Sequence, residues 1–408
     1  ARTTQIRNSQ FPMIDNEKRE RLRALYDAAP YPEVLANRQQ ANQNPLLAHW
    51  VNALHGYENA ALMSGRRLLV AGCGSGAEAV TLSRAYPLAE VVGVDFSERS
   101  IERARVLGQG LTNLHFEVAD LMDEAACAQF APFDFVLCHG VADYVSDPAQ
   151  LMRTFARCLS ERGVLYLSLN TPQHPAQRIR SAFAALGLPT EGFADGDEER
   201  AALQMLARLM GSDSPIPDLG NAPKAYLDID IFAPIAHHDA IEVWIQRAEA
   251  AGLHFGASMD AMYGLTELSD EHLPMLYGMD KARLSLFMSQ IRRRPSAQML
   301  FTPTQCARVV DFADEASVWA WQPRLDACLG VLPDLEAGVE ASEARNLLLR
   351  FSESMQFGIY SSAYDLAVFR RCDGSRSIGD ICASIAQAGD AARLRACLFR
   401  AYHYGLLR

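Results

Sequence analysis

The chain has 408 residues, 49% of them hydrophobic and 21% charged, and a formal net charge of −11. Its length exceeds what one hydrophobic core usually organises, so we expect a folded protein of more than one domain. The acidic balance argues against nucleic acid as a partner, because binding to a phosphate backbone needs clustered lysine and arginine.

The nine cysteines are scattered along the chain and form no CxxC pair. This usage is typical of reduced thiols and offers no ligand spacing for zinc. No apolar stretch is long enough to cross a bilayer, and the N-terminus has no signal-peptide core. The sequence therefore predicts a cytoplasmic protein without a membrane partner.

The first predicted elements are helical. The charged segment 14–25 predicts a helix, which Pro30 and Pro32 must end. Segment 45–56 has apolar residues at helical spacing and ends in a glycine suited to a C-cap. Residues 1–58 are predicted to form an N-terminal helical segment or lid.

Short apolar runs then alternate with amphipathic segments, which predicts a parallel sheet covered on both faces. We predict a domain at 59–303 with a helical insertion at about 176–225. Its strands are predicted at 67–71, 90–94, 114–118, 133–138, 163–169, 253–257 and 298–301, and its main helices at 77–85, 97–107, 148–159, 176–186, 240–251 and 281–291.

The alternation stops after the last of these strands. Segments 342–354, 377–387 and 391–404 are each predicted to be helical, and no further strand is predicted. Residues 304–408 are therefore expected to form a smaller, mainly helical C-terminal domain.

The clearest motif is Gly72-Cys73-Gly74-Ser75-Gly76, which follows an apolar run and precedes a predicted helix. Such a turn lets the backbone approach a nucleotide-like ligand and aims helix amides at it. Asp95, 19 residues after Gly76, ends the next strand and is placed to accept hydrogen bonds from ribose hydroxyls. The GCGSG spacing does not fit the dinucleotide pattern and favours S-adenosylmethionine; taken alone, it could also be a tight turn in another α/β protein.

Five segments in order resemble class I S-adenosylmethionine-dependent methyltransferases. They are AGCGSG, VVGVDFS, NLHFEVADL at 113–121, FDFVLCH at 133–139 and GVLYL at 163–167. The resemblance implies an α/β fold with a Rossmann-like, mostly parallel seven-stranded sheet, and methyl transfer from S-adenosylmethionine by in-line displacement.

The resemblance also implies the residues that bind the methyl donor. Asp120 and the backbone near Leu121 would contact the adenine, and the strand ending at His139 would lead to the place where donor and acceptor meet. The implied donor-binding residues are Ala71, Gly72, Cys73, Gly74, Gly76, Asp95, Phe96, Asp120, Leu121 and His139.

One position departs from the family pattern. The family commonly has an acidic residue two positions before the first glycine, near the methionine end of the donor, where this chain has Val70. The ammonium group of the donor would then be held by backbone carbonyls of Ala71 and His139, or by a residue that the sequence does not identify.

Two other segments resemble a bacterial methyltransferase subgroup, namely Tyr26–Pro32 and 228–238. We predict that Tyr26 and Tyr31 bind substrate; the alternative is an aromatic contact against the sheet edge. His237 and His238 are adjacent in sequence, so their side chains should point apart, and we predict no metal site.

His139 and Tyr144 follow a predicted strand at its C-terminal end, the edge where open α/β sheets bind ligands. We predict that they act as a general base or as a hydrogen-bonding wall for the acceptor. The alternative is ordinary packing of a loop.

The C-terminal sequence around Asp373-Gly374-Ser375-Arg376-Ser377-Ile378 weakly resembles winged-helix domains, including some that hold peptides. Because the chain lacks a basic run, we expect contact with a peptide or protein, or formation of a homodimer, rather than DNA binding. The leading hypothesis is methylation of a peptide or protein side chain; the alternatives are a small-molecule methyltransferase and a non-catalytic protein that binds S-adenosylmethionine.

Overall fold

The computed structural model describes residues 16–28, 65–193, 195–210, 224–305, 309–325, 345–350, 356–361, 363–385 and 389–407. Nine strands lie in this part of the chain: β1 Arg67–Ala71, β2 Glu90–Asp95, β3 Leu114–Val118, β4 Phe133–His139, β5 Leu159–Asn170, β6 His254–Ser258, β7 Ser296–Thr302, β8 Arg345–Arg350 and β9 Gln356–Ser361.

Fourteen helices of five or more residues are described, besides short turns. They are α1 Asn16–Ala28, α2 Ala77–Ala85, α3 Glu98–Leu107, α4 Glu124–Ala128, α5 Pro148–Cys158, α6 Pro175–Ala185, α7 Gly196–Met210, α8 Ile241–Ala250, α9 Met259–Thr266, α10 Lys281–Arg292, α11 Glu315–Ala320, α12 Ala363–Phe369, α13 Ile378–Ala383 and α14 Ala391–His403. A π-helix spans Leu227–Ile231 and a 3-10 helix spans Asp270–Leu276.

Seven strands form one sheet in the order β3-β2-β1-β4-β5-β7-β6. Neighbouring strands are parallel from β3 to β5, whereas β7 is antiparallel to both β5 and β6. The prediction of an α/β fold with a mostly parallel seven-stranded sheet is confirmed. Its C-terminal strand ends form the edge at which open sheets of this kind bind ligands.

The middle residues of the central strands are mostly apolar because helices cover both faces of the sheet. In β1, Leu68 and Val70 pack on one face, while Leu69 and Ala71 pack on the other, and all four are buried. This alternation sets which side chains of the strand can reach a given helix.

The turn after β1 requires glycine at its last position. Gly76 has a φ of 87°, and a Cβ placed there would lie 2.7 Å from the Cβ of Ala104 and 2.9 Å from the ring of Phe116. The helices α2 and α3 therefore pack closely only because this side chain is absent.

We expect the substitution Gly76→Ala to lower the free energy of unfolding by about 2–4 kcal/mol, because it adds an overlap to the cost of the left-handed backbone. Gly110→Ala is the matched control, since Gly110 has a φ of 86° and nothing within 4 Å of its added Cβ. It should cost only about 1 kcal/mol. Equal losses for the two variants in urea unfolding would contradict close packing at Gly76.

The segment after β5 builds a second apolar cluster beside the sheet. Helices α6 and α7 and the π-helix bury Phe183 and Phe232, whose rings stack with centroids 5.4 Å apart. Lys224 links the π-helix to α7, because its ammonium group pairs with Asp228 of the π-helix at 2.7 Å and with the buried Glu199 of α7 at 3.2 Å. The insertion is therefore fixed in place by its own core and its own ion pairs.

The C-terminal region shares a core with the sheet. Phe399 and Leu398 of α14 belong to the same apolar cluster as Leu68 and Val70 of β1. Arg400, only 5% exposed, donates to the carbonyl oxygen of Leu268 at 2.6 Å and pairs with Asp270. Apolar contacts thus attach residues of this region to the sheet, and charged contacts attach them to the 3-10 helix.

The predicted helix at 342–354 is wrong. Arg345–Arg350 is a strand that pairs antiparallel with Gln356–Ser361. The leucine-rich sequence RNLLLR suits a helix by intrinsic propensity, but the following segment QFGIYS has strand-forming residues with which it can pair. In the described part of the chain, no helix is both long and apolar enough to span a bilayer.

Candidate active site

A cavity of about 500 Å³ opens at the C-terminal edge of the sheet. One end is formed by the loops after β1, β2 and β3, and the other by Tyr144 after β4, Asn170 of β5, His174 and the π-helix. Of the donor-binding residues expected from the sequence, eight line it: Gly72, Cys73, Gly74, Asp95, Phe96, Asp120, Leu121 and His139.

Asp95 organises the glycine turn. Its carboxylate is 7% exposed and accepts hydrogen bonds from the backbone N–H groups of Gly74 and Ser97, each at 2.9 Å. Burial raises the pKa of Asp95, and these amide hydrogen bonds act in the opposite direction. An ionised carboxylate has about four acceptor directions, so Asp95 can accept hydrogen bonds from ribose hydroxyls besides those from the backbone.

Helix α1 covers the cavity from Asp120 and Phe96 to Tyr144, with which Leu22 packs. Arg19 forms an ion pair with Asp120, and the ring of Tyr26 lies edge-on to Phe96 with centroids 5.9 Å apart. Asp27 accepts a hydrogen bond of 2.6 Å from the hydroxyl of Ser97, the N-cap of α3. The helix thus contributes Arg19, Leu22 and Tyr26 to the cavity wall.

His139, at the end of β4, faces the first turn of α2. Its Nδ1 lies 3.4 Å from the carboxylate of Glu78, a residue that also lines the cavity. Burial disfavours the charged imidazole, but the nearby carboxylate outweighs it and raises the pKa of His139. The carboxylate of Glu78 is thus the negatively charged neighbour of His139 in the cavity.

Tyr144, Asn170 and Asp230 meet at the far end of the cavity. The Tyr144 hydroxyl lies 3.4 Å from the Asp230 carboxylate and 3.4 Å from the Asn170 side-chain amide. Tyr144 follows β4, Asn170 ends β5, and Asp230 belongs to the π-helix. We call these three residues the polar wall; a π-helix is often found at a functional site.

His174 lines the cavity beside the polar wall. Its Nδ1 accepts a hydrogen bond from the backbone N–H of Ala176, so the other ring nitrogen carries the hydrogen. Burial, aided by the positive charge of Arg180, lowers the pKa of His174 to about 4. This imidazole is neutral at physiological pH.

Some predicted site residues lie elsewhere. Ala71 is buried in the core and Gly76 packs against α3, and neither lines the cavity. Tyr31 lies outside the described residues, whereas Tyr26 and Tyr144 line the cavity.

The sequence reasoning missed other residues of this cavity. Asp230 lay in the segment 228–238 that resembled the methyltransferase subgroup, but no spacing rule connects it to Tyr144. His237 instead contacts the carbonyl oxygen of Val145 at 2.9 Å. Among the residues that the structure describes, no three His, Cys, Asp or Glu side chains are grouped as a metal site would require. The missed residues of the cavity include Arg19, Leu22, Glu78, Asn170, His174, Tyr226 and Asp230.

Curated relatives match only part of this chain. It is 31% identical over 150 residues to an uncharacterized protein of Rickettsia prowazekii, covering 36% of this chain and 26% of that protein. It is also 31% identical over 126 residues to the ubiquinone biosynthesis O-methyltransferase of Bordetella pertussis, covering 31% of this chain and 49% of that enzyme. The chain thus matches between about a quarter and a half of the length of these relatives.

Among solved structures, PKMT2 from Rickettsia typhi is similar in fold. It superimposes with a TM-score of 0.55 at 16% sequence identity, covering 90% of this chain and 74% of that chain. The structure of the same protein in complex with AdoHcy gives a TM-score of 0.53. Residues 62–194 match the family model described as a Methyltransferase domain. The match indicates that residues 62–194 belong to an S-adenosylmethionine-dependent methyltransferase domain, with S-adenosylmethionine as its cofactor.

Proposed function

We propose that this chain transfers the methyl group of S-adenosylmethionine to a side chain of a peptide or protein by in-line displacement. One observation carries the proposal. A single cavity joins the glycine turn and Asp95 at one end to the polar wall of Tyr144, Asn170 and Asp230 at the other.

The residues at the first end fit the donor. Gly72 has a φ of 70° and no room for a side chain, since an added Cβ would lie 2.5 Å from Val141. The backbone of the turn can therefore approach a ligand closely. Asp95 lines this end, and we propose that it binds the ribose hydroxyls; Asp120, which pairs with Arg19, is proposed to contact the amino group of the adenine.

Bound S-adenosylmethionine supplies a methyl group activated by its sulfonium. The task left to this chain is to align an acceptor lone pair with that methyl group and to exclude water. The polar wall offers a carboxylate and a hydroxyl that can accept hydrogen bonds from an amino or hydroxyl group of the acceptor. Of these groups, the Asp230 carboxylate is best suited to orient the amino or hydroxyl group of the acceptor.

A peptide or protein acceptor is supported by the extent of the chain beyond the sheet. The C-terminal region from Glu315 onwards shares the core of the sheet, yet none of its described residues lines the cavity. It is therefore available as an outer surface for a polymer whose reacting side chain enters the cavity.

A small-molecule acceptor is the second candidate. It is favoured by the 31% identity to the ubiquinone biosynthesis O-methyltransferase of Bordetella pertussis and by Tyr226 and Asp230, which line the cavity directly after the predicted insertion. Incubation with methyl-labelled S-adenosylmethionine, a cell-extract protein fraction and a small-metabolite fraction separates the two. Label in protein supports the proposal, and label only in small molecules supports the second candidate.

Substitutions in the polar wall should lower kcat/KM for the acceptor and leave the binding of the methyl donor unchanged. With an acceptor identified in that way, we expect Asp230→Asn to lower kcat/KM about a hundredfold and Tyr144→Phe about tenfold, because each removes a hydrogen bond to the acceptor. The affinity for S-adenosylhomocysteine, measured by calorimetry, should change less than about twofold.

Asp228→Asn is the matched control for the loss of charge. Asp228 belongs to the same π-helix, bonds to Lys224 and does not line the cavity. Its kcat/KM should stay close to that of the wild type. If Asp230→Asn behaved like Asp228→Asn, the polar wall would not be the acceptor site.

A further inference from the structure

We propose that Glu78 binds the methionine ammonium group of the methyl donor, in place of the acidic residue that the resembling family carries at the position of Val70. The assignment rests on the proposed function and identifies the residue that the sequence left open. It concerns a side chain of α2 rather than of β1.

Val70 itself cannot serve this purpose. Its side chain is 2% exposed and packs in the cluster that contains Ala79 and Val80 of α2. Position 70 therefore points toward the face that α2 covers. Glu78, in the first turn of α2, reaches the cavity from that same face.

The surroundings of Glu78 show where its charge acts. Its carboxylate is 27% exposed, lies 3.4 Å from His139 and lines the same cavity as Gly72 and Gly74. Burial raises the pKa of Cys73 and of Tyr166, and the negative charge of Glu78 adds to both shifts. The Glu78 carboxylate therefore lies in the cavity wall close to the glycine turn.

The three acidic side chains at the donor end have different partners. Asp95 accepts from two backbone amides, and Asp120 pairs with Arg19. Glu78 has a long contact with an imidazole whose protonation its own charge favours. An arriving ammonium group can take the place of that proton, so the carboxylate remains paired when the methyl donor is bound.

The affinities of three ligands distinguish the contact to the ammonium group from the contacts to the rest of the methyl donor. S-adenosylhomocysteine has both the ammonium and the carboxylate, decarboxylated S-adenosylhomocysteine has the amine alone, and methylthioadenosine has neither. In calorimetric titrations of the full chain, Glu78→Gln should weaken the first two at least about tenfold and leave methylthioadenosine within about twofold. Unchanged binding of methylthioadenosine also shows that the variant is folded.

Glu98→Gln is the matched control, because Glu98 also lies in the first turn of a helix that follows a strand of the sheet, here α3 after β2, and is exposed outside the cavity. It should bind all three ligands as the wild type does. Equal weakening of all three ligands by Glu78→Gln, or none, would overturn the assignment while leaving the proposed function intact. Failure of the wild type to bind S-adenosylhomocysteine would overturn both.

Discussion

The variant Asp95→Ala should bind S-adenosylhomocysteine at least a hundredfold more weakly than the wild type, a loss of about 3 kcal/mol. Two effects add in the same direction. The variant loses the charged acceptor expected to hold the ribose, and it loses the two hydrogen bonds that fix the amides of Gly74 and Ser97. Calorimetric titration of both proteins measures the change.

Asp123→Ala separates these effects from a general loss of a capping carboxylate. Asp123 accepts from the backbone amides of Ala125 and Ala126, each at 3.0 Å, and does not line the cavity. The variant should be less stable by about 1 kcal/mol and keep its affinity for the ligand. Retained affinity in Asp95→Ala would show that the ribose is not bound there.

The second large effect is expected for Arg400→Met, which should lower the free energy of unfolding by about 3–5 kcal/mol. The guanidinium is nearly buried and bonds to Asp270 and to the carbonyl oxygens of Leu265 and Leu268. Methionine fills much of the space but leaves the partly exposed carboxylate of Asp270 and two carbonyl groups without their hydrogen-bond donor. Urea unfolding measures the loss.

Arg84→Met provides the control, because Arg84 is exposed in the last turn of α2. It should change stability by less than about 0.5 kcal/mol. A similarly small effect of Arg400→Met would contradict the rigid attachment of α14 to the 3-10 helix. The same contacts imply that deleting residues 304–408 would expose the core of the sheet, so point substitutions test this region better than truncation.

The sheet could be predicted closely because its strands are buried on both faces. Buried parallel strands read as apolar runs, and the five runs between 67 and 170 were placed within a few residues of β1 to β5. The antiparallel insertion of β7 between β5 and β6 could not be predicted, since strand order depends on packing between distant segments. The strand β8 was missed for a related reason, because its pairing with β9 overrides local helix propensity.

The candidate site was predictable only where a motif fixes the local backbone. The glycine turn and Asp95 have a recognisable spacing, and the structure places them in one cavity. Asp230 and Arg19 reach that cavity from the π-helix and α1, which lie far away in sequence. Glu78 was visible in the sequence as a first-turn residue, but only the geometry shows that its carboxylate faces His139.

The central claim is that this cavity binds the methyl donor, and calorimetric titration of S-adenosylhomocysteine into the wild-type chain tests it most directly. We expect one site per chain with a Kd in the micromolar range, corresponding to about −8 kcal/mol. Absence of binding at millimolar ligand would contradict the account, and the glycine turn would then be an architectural feature of the sheet alone.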